Sequence, residues 1–410
     1  MTSASVWVRR HLPGLIHPRV RSYILRHCSL LDKRTQWWRS KDPYLHDPPH
    51  STYESRYPVK LGIVKEFWHR HWPYIAACRE LGVAFQVVDL TASDWLERFD
   101  ASDCDAFLVY PSIQISLWKE LYDERLRILV EDFGKTLFPR YDELWFYENK
   151  RRMAYWLQAH RIPHAATWVF YDKRSALHFA QTAQLPIVSK TSMGARASGV
   201  AIHRNRRRLA AYIRRAFSRG IVHADGEALD ADWRFVILQE YLARVREWRV
   251  IRIGDCYFAH SKALKGEFHS GSGLVDWSVP SAELLTFVRR VTETGGFRSM
   301  CLDIFEQDGR FYVNELQAYF GWVRPYQMLV NGRPGCYRYE AAQGRWQFEE
   351  GIHCRNGGCN LRVAALLAQL GIRVEPVEYG HNSVADADRD DSIRSYRSHE
   401  ARGQAPVELT

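Results

Sequence analysis

Two acidic side chains near residue 310 stand where a β-hairpin would bring them face to face. The stretch CLDIFEQDGRFYVNELQ reads as two strands joined by a turn at Asp308-Gly309, with Asp303 on the first strand and Glu315 on the second. A three-residue turn would place Asp303 directly opposite Glu315, whereas a strict two-residue turn would place Asp303 opposite Asn314. Like charges directly opposite each other destabilise a sheet. The first arrangement therefore needs a compensating group.

A divalent cation would be the natural compensation. Magnesium prefers hard oxygen ligands, keeps several waters and usually needs one or two carboxylates plus phosphate oxygens. Asp303, Glu315 and the side-chain carbonyl of Gln317, which shares a face with Glu315, would supply such a partial ligand set. The other interpretation is a solvent-facing hairpin that carries ordinary polar residues. The hairpin sequence alone leaves both interpretations open.

A magnesium site with few protein ligands implies a phosphate, and a phosphate needs positive charge and backbone donors. Lys190 ends the apolar run LPIVSK and is followed at once by TSMGARASG, in which Gly194 and Gly199 would let the loop fold closely over a triphosphate. The sequence contains no GxxxxGK[ST] phosphate loop, and the turn VKEFWHRHW after the first strand lacks the dinucleotide-binding glycines. Neither a P-loop nor a dinucleotide site is indicated.

The composition is that of a globular protein. The 410 residues are 46% hydrophobic and 25% charged, and no apolar run reaches the roughly 18 residues of a membrane span. The eight cysteines are scattered rather than arranged as a disulfide framework, so we expect a cytoplasmic protein with reduced thiols. The net charge is +10, and residues 1–60 hold eleven Lys and Arg against four Asp and Glu. No nucleic-acid-binding module is recognisable, which favours a solubilising basic face over a nucleic-acid partner.

Five motifs in one order give the chain a family resemblance. The motifs are YENK, PIVSKTSMGARASGV, ILQEYL, EWRV and LDIFEQDGRFYVNELQ, and over roughly residues 58–322 their order and spacing resemble the ATP-grasp superfamily. The family includes D-alanine–D-alanine ligase, biotin carboxylase and the ligases that add glutamate to a ribosomal protein. The resemblance implies an α/β and α+β protein, in which a Rossmann-like pre-ATP-grasp domain precedes two halves that clamp ATP.

Alternating strands and helices in the first half agree with the parallel α/β unit that the family would require. The implied domains are a basic N-terminal extension and linker (1–57), the pre-ATP-grasp domain (58–140), a lid subdomain (141–234) and a subdomain with the metal and nucleotide core (235–330). A C-terminal extension (331–410) follows, and we expect it to be disordered from about Asp386.

The resemblance also implies roles for particular residues. Lys150 in YENK and Lys190 would contact the ATP phosphates under a mobile flap formed by loop 191–199. The remaining nucleotide-binding residues would be Ser192, Gly194 and Gly199 in that flap, and Glu240, Tyr241 and Leu242 at the adenine.

The same resemblance implies the catalytic and metal-binding residues. Arg249 would face the transferred phosphate. Lys262 is a candidate for a different reason: it ends a strand that should reach the active-site mouth, where it would hold an acidic substrate or belong to a basic rim. Asp303, Glu315 and Gln317 would bind Mg²⁺. The chain departs from the family in reading Glu315-Leu316-Gln317 where members commonly have Glu-x-Asn, which leaves one or two magnesium ions open.

The implied activity is ATP-dependent activation of a carboxylate as an acyl phosphate, followed by attack of an amine or thiol and release of ADP and phosphate. The substrates would be small-molecule or peptide carboxylates and amines, and a homo-oligomer is open. Two alternatives remain: a phosphotransferase of the same fold, and a non-enzymatic nucleotide-binding protein that docks through its basic arm.

A group of cysteine and histidine residues near the C-terminus admits a metal-site interpretation. GIHCRNGGCN brings His353, Cys354 and Cys359 together, with Cys336 nearby. Zinc sites usually show paired CxxC knuckles, which are absent from this sequence. A loop before the helix NLRVAALLAQLG is therefore the interpretation that the sequence favours.

Overall fold

The structure is a computed structural model that describes residues 40, 50–68, 70–194, 199–223, 230–262, 275–320 and 326–374. The predicted basic arm lies almost wholly outside these residues, and so does the segment predicted to be disordered from Asp386.

The first part of the chain builds a parallel sheet. Strands β1 to β4 (Lys60–Val64, Ala84–Val88, Ala106–Leu108 and Thr136–Phe138) lie in the order β2-β1-β3-β4 and all run parallel. Helices α1 to α3 (Trp72–Leu81, Trp95–Ser102 and Ser116–Glu131) connect them. The strands are short and almost wholly apolar, as expected for a sheet that is covered on both faces. Helix α1 ends where Gly82 adopts the left-handed conformation, with φ of 68°.

Two helices lead into a second, antiparallel sheet. These are α4 (Tyr141–Phe146) and α5 (Lys150–Ala159). The sheet has the order β5-β10-β6-β7, and helices α6 and α7 cover it. Helix α7 is strongly basic outside and buries Leu209, Ile213 and Ala216, a spacing of three to four residues that makes one apolar face. The bounds are β5 Thr167–Phe170, α6 Lys173–Thr182, β6 Ile187–Lys190, β7 Val200–His203, α7 Arg206–Ala216, β8 Ile221–Val222, β9 Ala231–Asp232 and β10 Val236–Glu240.

The third sheet is the largest and is also antiparallel. Its main order is β15-β14-β11-β12-β17-β16, with β13 beside β12 and β18 beside β17. Helix α8 follows β13, and helix α9 follows β18. The bounds are β11 Arg246–Ile253, β12 Cys256–Lys262, β13 Val275–Asp276, α8 Ala282–Thr294, β14 Ser299–Gln307, β15 Arg310–Gln317, β16 Leu329–Val330, β17 Arg333–Glu340, β18 Arg345–Glu350 and α9 Arg355–Gln369.

Residues 331–374, predicted as the beginning of a C-terminal extension, form part of the main core instead. Strand β17 pairs with β12, and α9 packs against α1 of the first sheet. Val363, Leu366 and Leu367 of α9 are fully buried in the same apolar cluster as β1 and β14. The sequence analysis missed this because apolar periodicity identifies a helix but does not identify the surface against which it packs.

The predicted fold class, α/β combined with α+β, is confirmed by the parallel sheet and by the antiparallel sheets that follow it, which include a small sheet of β8 and β9. Within the described part of the chain, every helix is too short or too polar to cross a bilayer.

Candidate active site

The hairpin formed by β14 and β15 places Asp303 opposite Glu315, although its turn is the shorter of the two alternatives that the sequence left open. Gln307 pairs with Arg310, so the turn consists of the two residues Asp308 and Gly309, both with positive φ. The register then shifts between Asp303 and Ile304, because Asn314 is an extra residue in β15. This β-bulge brings Asp303 and Glu315 into register, where a regular ladder would pair Asp303 with Asn314.

The bulge also decides which side chains of β15 face the core. Val313 and Leu316 are buried, whereas Asn314, Glu315 and Gln317 are only partly buried. In a strand without the extra residue, alternation would put Glu315 on the same face as Val313. The bulge therefore places Glu315 on the same face of the sheet as Asp303, and it adds the side-chain amide of Asn314 next to Glu315.

A row of titratable side chains crosses four strands at this level. Glu315 pairs with Asp303, Asp303 with Arg249, and Arg249 with His260, so all four lie on one face of the sheet. His260 is buried, and its Nδ1 lies 2.9 Å from the carbonyl oxygen of Gln327. Burial lowers the pKa of His260 to about 4, so the imidazole is neutral and Arg249 provides the positive charge in the row.

Two cations hold the carboxylate of Asp303. Arg249 donates from Nε and Nη2 to its two oxygens, at 2.9 Å each, and Nζ of Lys262 lies 2.6 Å from Oδ2. Nζ of Lys262 also lies 2.5 Å from Oε1 of the buried Glu247. Burial alone would raise the pKa of Asp303, but the charges of Arg249 and Lys262 outweigh it and hold the pKa well below its usual range.

Two further lysines approach Glu315 from the second sheet and its neighbouring helix. Nζ of Lys150, at the start of α5, lies 3.4 Å from Oε1 of Glu315 and donates to the carbonyl oxygen of Gly194 at 2.8 Å. Nζ of Lys190, at the end of β6, donates to Oδ1 of Asn314 at 2.9 Å. Burial and the charge of Lys150 lower the pKa of Lys190 to about 8. The structure thus brings Lys150, Lys190, Arg249 and Lys262 together around the predicted acidic pair.

The described ends of the predicted flap are fixed by polar contacts. The amide of Gly194 donates to Oε2 of Glu148 at 3.1 Å. Gly199 has φ of 77°, and a Cβ there would lie 1.9 Å from Oγ1 of Thr191, so only glycine fits. Ser192 uses its amide (2.6 Å) and its hydroxyl as donors to Asp232. Its hydroxyl proton is therefore engaged by Asp232 in this structure, and its role at the phosphates stays a prediction.

A chain of polar contacts continues from Asp232 into the first domain. Nε2 of His223 lies 3.1 Å from Oδ1 of Asp232, and its Nδ1 lies 3.3 Å from Oδ2 of Asp230. Asp230 in turn accepts a hydrogen bond from the amide of Ser116, the first residue of α3, at 3.1 Å. Burial alone would lower the pKa of His223, but the two carboxylates outweigh it and raise the pKa to about 9. A charged imidazole therefore links the flap to the parallel-sheet domain.

The predicted adenine segment lies between the two antiparallel sheets. Glu240 ends β10, and Tyr241 and Leu242 follow it in the connection to β11. Oε2 of Glu240 accepts a hydrogen bond from the amide of Ala166 at 3.1 Å, and its side chain is exposed. We call the group formed by Lys150, Lys190, Arg249, Lys262, Asp303 and Glu315 the charged cluster. The described contacts of Glu240 do not join it to this cluster, so its role at an adenine stays a prediction.

Sequence reasoning missed several polar residues of this region. The missed residues are Glu148, His223, Asp230, Asp232, Glu247 and Asn314. Glu148 lies two residues before Lys150, and Glu247 lies fifteen residues before Lys262. Both glutamates are buried, but a single glutamate in a sequence does not indicate that its side chain is buried. Burial raises the pKa of Glu148, and the charge of Glu315 adds to that effect. Asp232 could have been noticed only by knowing that β9 lies beside the flap.

Comparisons with protein families, curated proteins and solved structures give the following similarities. No protein-family model and no curated protein matches the chain. Among solved structures, D-alanine–D-alanine ligase from Bacillus anthracis complexed with ATP is 15% identical over 76% of this chain and 99% of its own, with a TM-score of 0.47. A RimK-domain ATP-grasp protein from Sphaerobacter thermophilus is 14% identical over 63% of this chain and 90% of its own, with a TM-score of 0.46.

A third solved structure, the ADP complex of N5-carboxyaminoimidazole ribonucleotide synthetase, is 15% identical over 64% of this chain and 71% of its own, with a TM-score of 0.47. Of these three structures, one is described as an ATP-grasp protein, and the other two as a ligase and a synthetase. At these identities and TM-scores the matches assign no role to any residue of this chain. The residues of the charged cluster have to support a functional proposal by themselves.

Proposed function

We propose that the protein is an ATP-dependent ligase that activates a carboxylate as an acyl phosphate and joins it to an amine or thiol, with release of ADP and phosphate. One observation carries the proposal. Four cationic side chains from two sheets and a helix surround the paired carboxylates of Asp303 and Glu315. Ion pairs with a purely structural role seldom bring four buried or half-buried cations together, because each cation loses its hydration on burial.

The donor set fits a nucleotide's phosphates. Nζ of Lys190 donates to a neutral oxygen, the amide of Asn314, and Nζ of Lys150 donates to the carbonyl of Gly194 at 2.8 Å and lies at a longer 3.4 Å from the carboxylate of Glu315. Charged phosphate oxygens are stronger acceptors for ammonium groups than neutral oxygens are. Both lysines would therefore gain from a bound polyphosphate.

The oxygen ligands also fit Mg²⁺. Glu315 is partly exposed and has one described charged contact, to Lys150 through Oε1. Oδ1 of Asp303 accepts a single hydrogen bond, from Arg249, and so retains a lone pair. Glu315, Asp303 and the side-chain oxygen of Gln317 would hold the ion, which matches a magnesium site that takes its other ligands from phosphate and water.

The chain's own residues then have defined tasks. Bound Mg-ATP would supply the phosphoryl group and part of the neutralisation of its charge. Lys150 and Lys190 would orient the phosphates, and Arg249, fixed by its two hydrogen bonds to Asp303, would stabilise the transferring group. Lys262 would hold the substrate carboxylate close to that group. Such a reaction requires positioning and charge, and it needs no side-chain nucleophile.

A screen for ADP release tests the proposal. Purified protein is incubated with Mg-ATP and with amino acids, peptides and sugar acids, each with and without amine acceptors. We expect ADP and phosphate release that depends on both substrates, and we expect Lys190→Ala and Glu315→Gln to lose it by about 100-fold or more. Lys173→Ala, an exposed lysine on α6, is the matched control and should retain full activity. A phosphorylated product without free phosphate would instead identify a phosphotransferase, and nucleotide binding without turnover of any substrate would favour a binding protein.

A further inference from the structure

A second group of metal-ligating side chains lies at the opposite end of β12 from the candidate active site. Cys256 is the first residue of β12 and Lys262 is the last, so about 20 Å of extended strand separates them. Cys336 lies on the neighbouring strand β17, next to the paired residues Tyr257 and Tyr337. His353 follows β18. One ligand atom from each of Cys256, Cys336 and His353 lies within 4.8 Å of the other two.

These separations suit a common metal ion. Zinc binds cysteine sulfur at about 2.3 Å and histidine nitrogen at about 2.0 Å, so two ligands of a tetrahedral ion lie roughly 3.5 to 3.8 Å apart. Small side-chain rotations would bring the three atoms from their present positions to that distance. Two sulfurs and an imidazole favour zinc over the hard, oxygen-binding cations.

An unpartnered nitrogen gives independent support. Nε2 of His353 is buried and makes no hydrogen bond to any described residue. Its nearest described carboxylate oxygen, Oε1 of Glu349, is 3.9 Å away, which is beyond hydrogen-bonding distance. A buried polar atom without a partner is costly, and such atoms in native proteins call for an explanation such as a bound water or ion.

The surroundings can support thiolate ligands. Cys256 and Cys336 are fully buried, which normally disfavours the thiolate. Arg338 lies two residues beyond Cys336 on β17, and its Nε lies 2.5 Å from Oε2 of Glu349. Arg338 therefore places a guanidinium on the strand that carries Cys336. Cys354, also buried, is a further thiol close to the group.

We propose that Cys256, Cys336 and His353 bind a structural zinc ion, with a fourth position completed by a neighbouring group or water. The three ligands come from the start of β12, from β17 and from the segment between β18 and α9. A shared metal would therefore tie residues 333–369, which contribute α9 to the core, to the sheet that carries the candidate active site. The loop predicted before the helix is present in the structure, at residues 351–354. The proposed ligand set differs from the group considered in the sequence, because Cys256 is distant in sequence.

Metal analysis of the full-length protein tests the site. Protein purified without a metal-binding tag should contain about one zinc ion per chain, and metal-free protein titrated with Co²⁺ should develop thiolate-to-cobalt charge-transfer absorption and the visible bands of a tetrahedral site. Cys336→Ser and His353→Ala should lose the zinc and the spectrum. His353→Cys, which keeps a ligand at that position, should retain both with stronger charge transfer.

Cys104→Ser provides the matched control. Cys104 is a buried thiol of the first domain whose Sγ contacts the carbonyl oxygen of Ser102, so its replacement should leave zinc content and the cobalt spectrum unchanged. Circular dichroism confirms that each variant is folded. The proposal is overturned if the wild-type protein holds no zinc and gives no charge-transfer band, if folded Cys336→Ser keeps the band, or if mass spectrometry shows a Cys256–Cys336 disulfide in place of the metal.

Discussion

At the scale of single residues, Lys190 is the group whose protonation most directly controls the candidate active site. It stands at the end of β6 with Nζ on the amide of Asn314, and burial lowers its pKa to about 8 from the ordinary 10.5. A phosphate needs the charged ammonium form. Neutral Lys190 would remove one of the four cations that the proposed function requires.

We therefore expect the affinity for Mg-ATP to weaken as pH rises through about 8, by roughly tenfold between pH 7 and 9. Lys190→Arg should bind with little change over this range, because a guanidinium stays charged. Lys190→Ala should bind weakly at every pH. Isothermal titration at several pH values measures all three. Equal affinity of wild type and Lys190→Ala throughout would remove Lys190 from the site.

The charged form of Lys190 destabilises the folded protein, whereas a cation whose pKa is raised by an ion pair stabilises it. Because the folded pKa lies below the unfolded pKa, the unfolded state holds more protons between about pH 8 and 10.5, and this group makes folding more favourable as pH rises across that window. A bound polyphosphate would raise the pKa of Lys190 and remove the penalty. The buried charge of Lys190, which is unfavourable in the free protein, would thus be stabilised by a bound phosphate of opposite charge.

At the scale of elements, the β-bulge in β15 shows what the sequence can and cannot predict. The two strands and the turn at Asp308-Gly309 follow from alternation and turn chemistry. A two-residue turn by itself would pair Asp303 with Asn314, one of the two registers that the sequence left open. The pairing of Asp303 with Glu315 depends instead on the extra residue Asn314, and nothing in FYVNELQ distinguishes a bulge from a regular strand.

The contacts of His223, which lie beside the short strands β8 and β9, are a second feature that the sequence alone does not predict. Strands β8 and β9 are two residues each and carry little periodicity, so no pattern predicts that Asp232 meets Ser192 of the flap. Such contacts between segments distant in sequence depend on the tertiary fold. Lys150, Lys190 and Arg249 could be predicted because their motifs resemble those of a known family, and Lys262 because it ends a strand.

His223 should make stability depend on pH. Its folded pKa of about 9 exceeds the ordinary 6.5, so its contribution is fully present below about pH 6.5 and is lost as pH rises toward 9. We expect His223→Gln to lower the free energy of unfolding by about 1–2 kcal/mol at pH 6.5, and the difference from wild type to shrink toward pH 9. Urea titrations at both pH values measure this. His178→Gln, an exposed histidine of α6, should behave as wild type, and a constant difference for His223→Gln would contradict the account.

At the scale of the whole molecule, the third sheet joins parts of the chain that lie far apart in sequence. Its order brings β17, after residue 332, beside β12, and α9 then returns to pack on α1 of the first domain. The resemblance to ATP-grasp proteins covers roughly residues 58–322, so it could not predict where the residues after 322 pack. Residues 333–369 complete the core, and they also supply two of the three proposed zinc ligands.

Replacing Leu366 tests whether α9 is part of the core. Leu366 is fully buried, and its truncation to alanine leaves a cavity, so Leu366→Ala should lower the free energy of unfolding by about 2–5 kcal/mol. Gln369→Ala, on the exposed side of the same helix, should change it by less than about 0.5 kcal/mol. Denaturant unfolding followed by fluorescence measures both. An equal, small effect of the two substitutions would show that α9 does not contribute to the core.

The account depends on the charged cluster around Asp303 and Glu315 being a binding site for a nucleotide's phosphates together with a divalent cation. Isothermal titration of a non-hydrolysable ATP analogue, with and without Mg²⁺, tests this most directly. We predict Mg²⁺-dependent binding to wild type and to Lys173→Ala, and a loss of about 100-fold or more in the double variant Lys150→Ala, Lys190→Ala, because hydrogen bonds to charged groups contribute about 1.5–3 kcal/mol each. Wild-type protein that binds no analogue under either condition, or a folded double variant that binds as tightly as wild type, would contradict it.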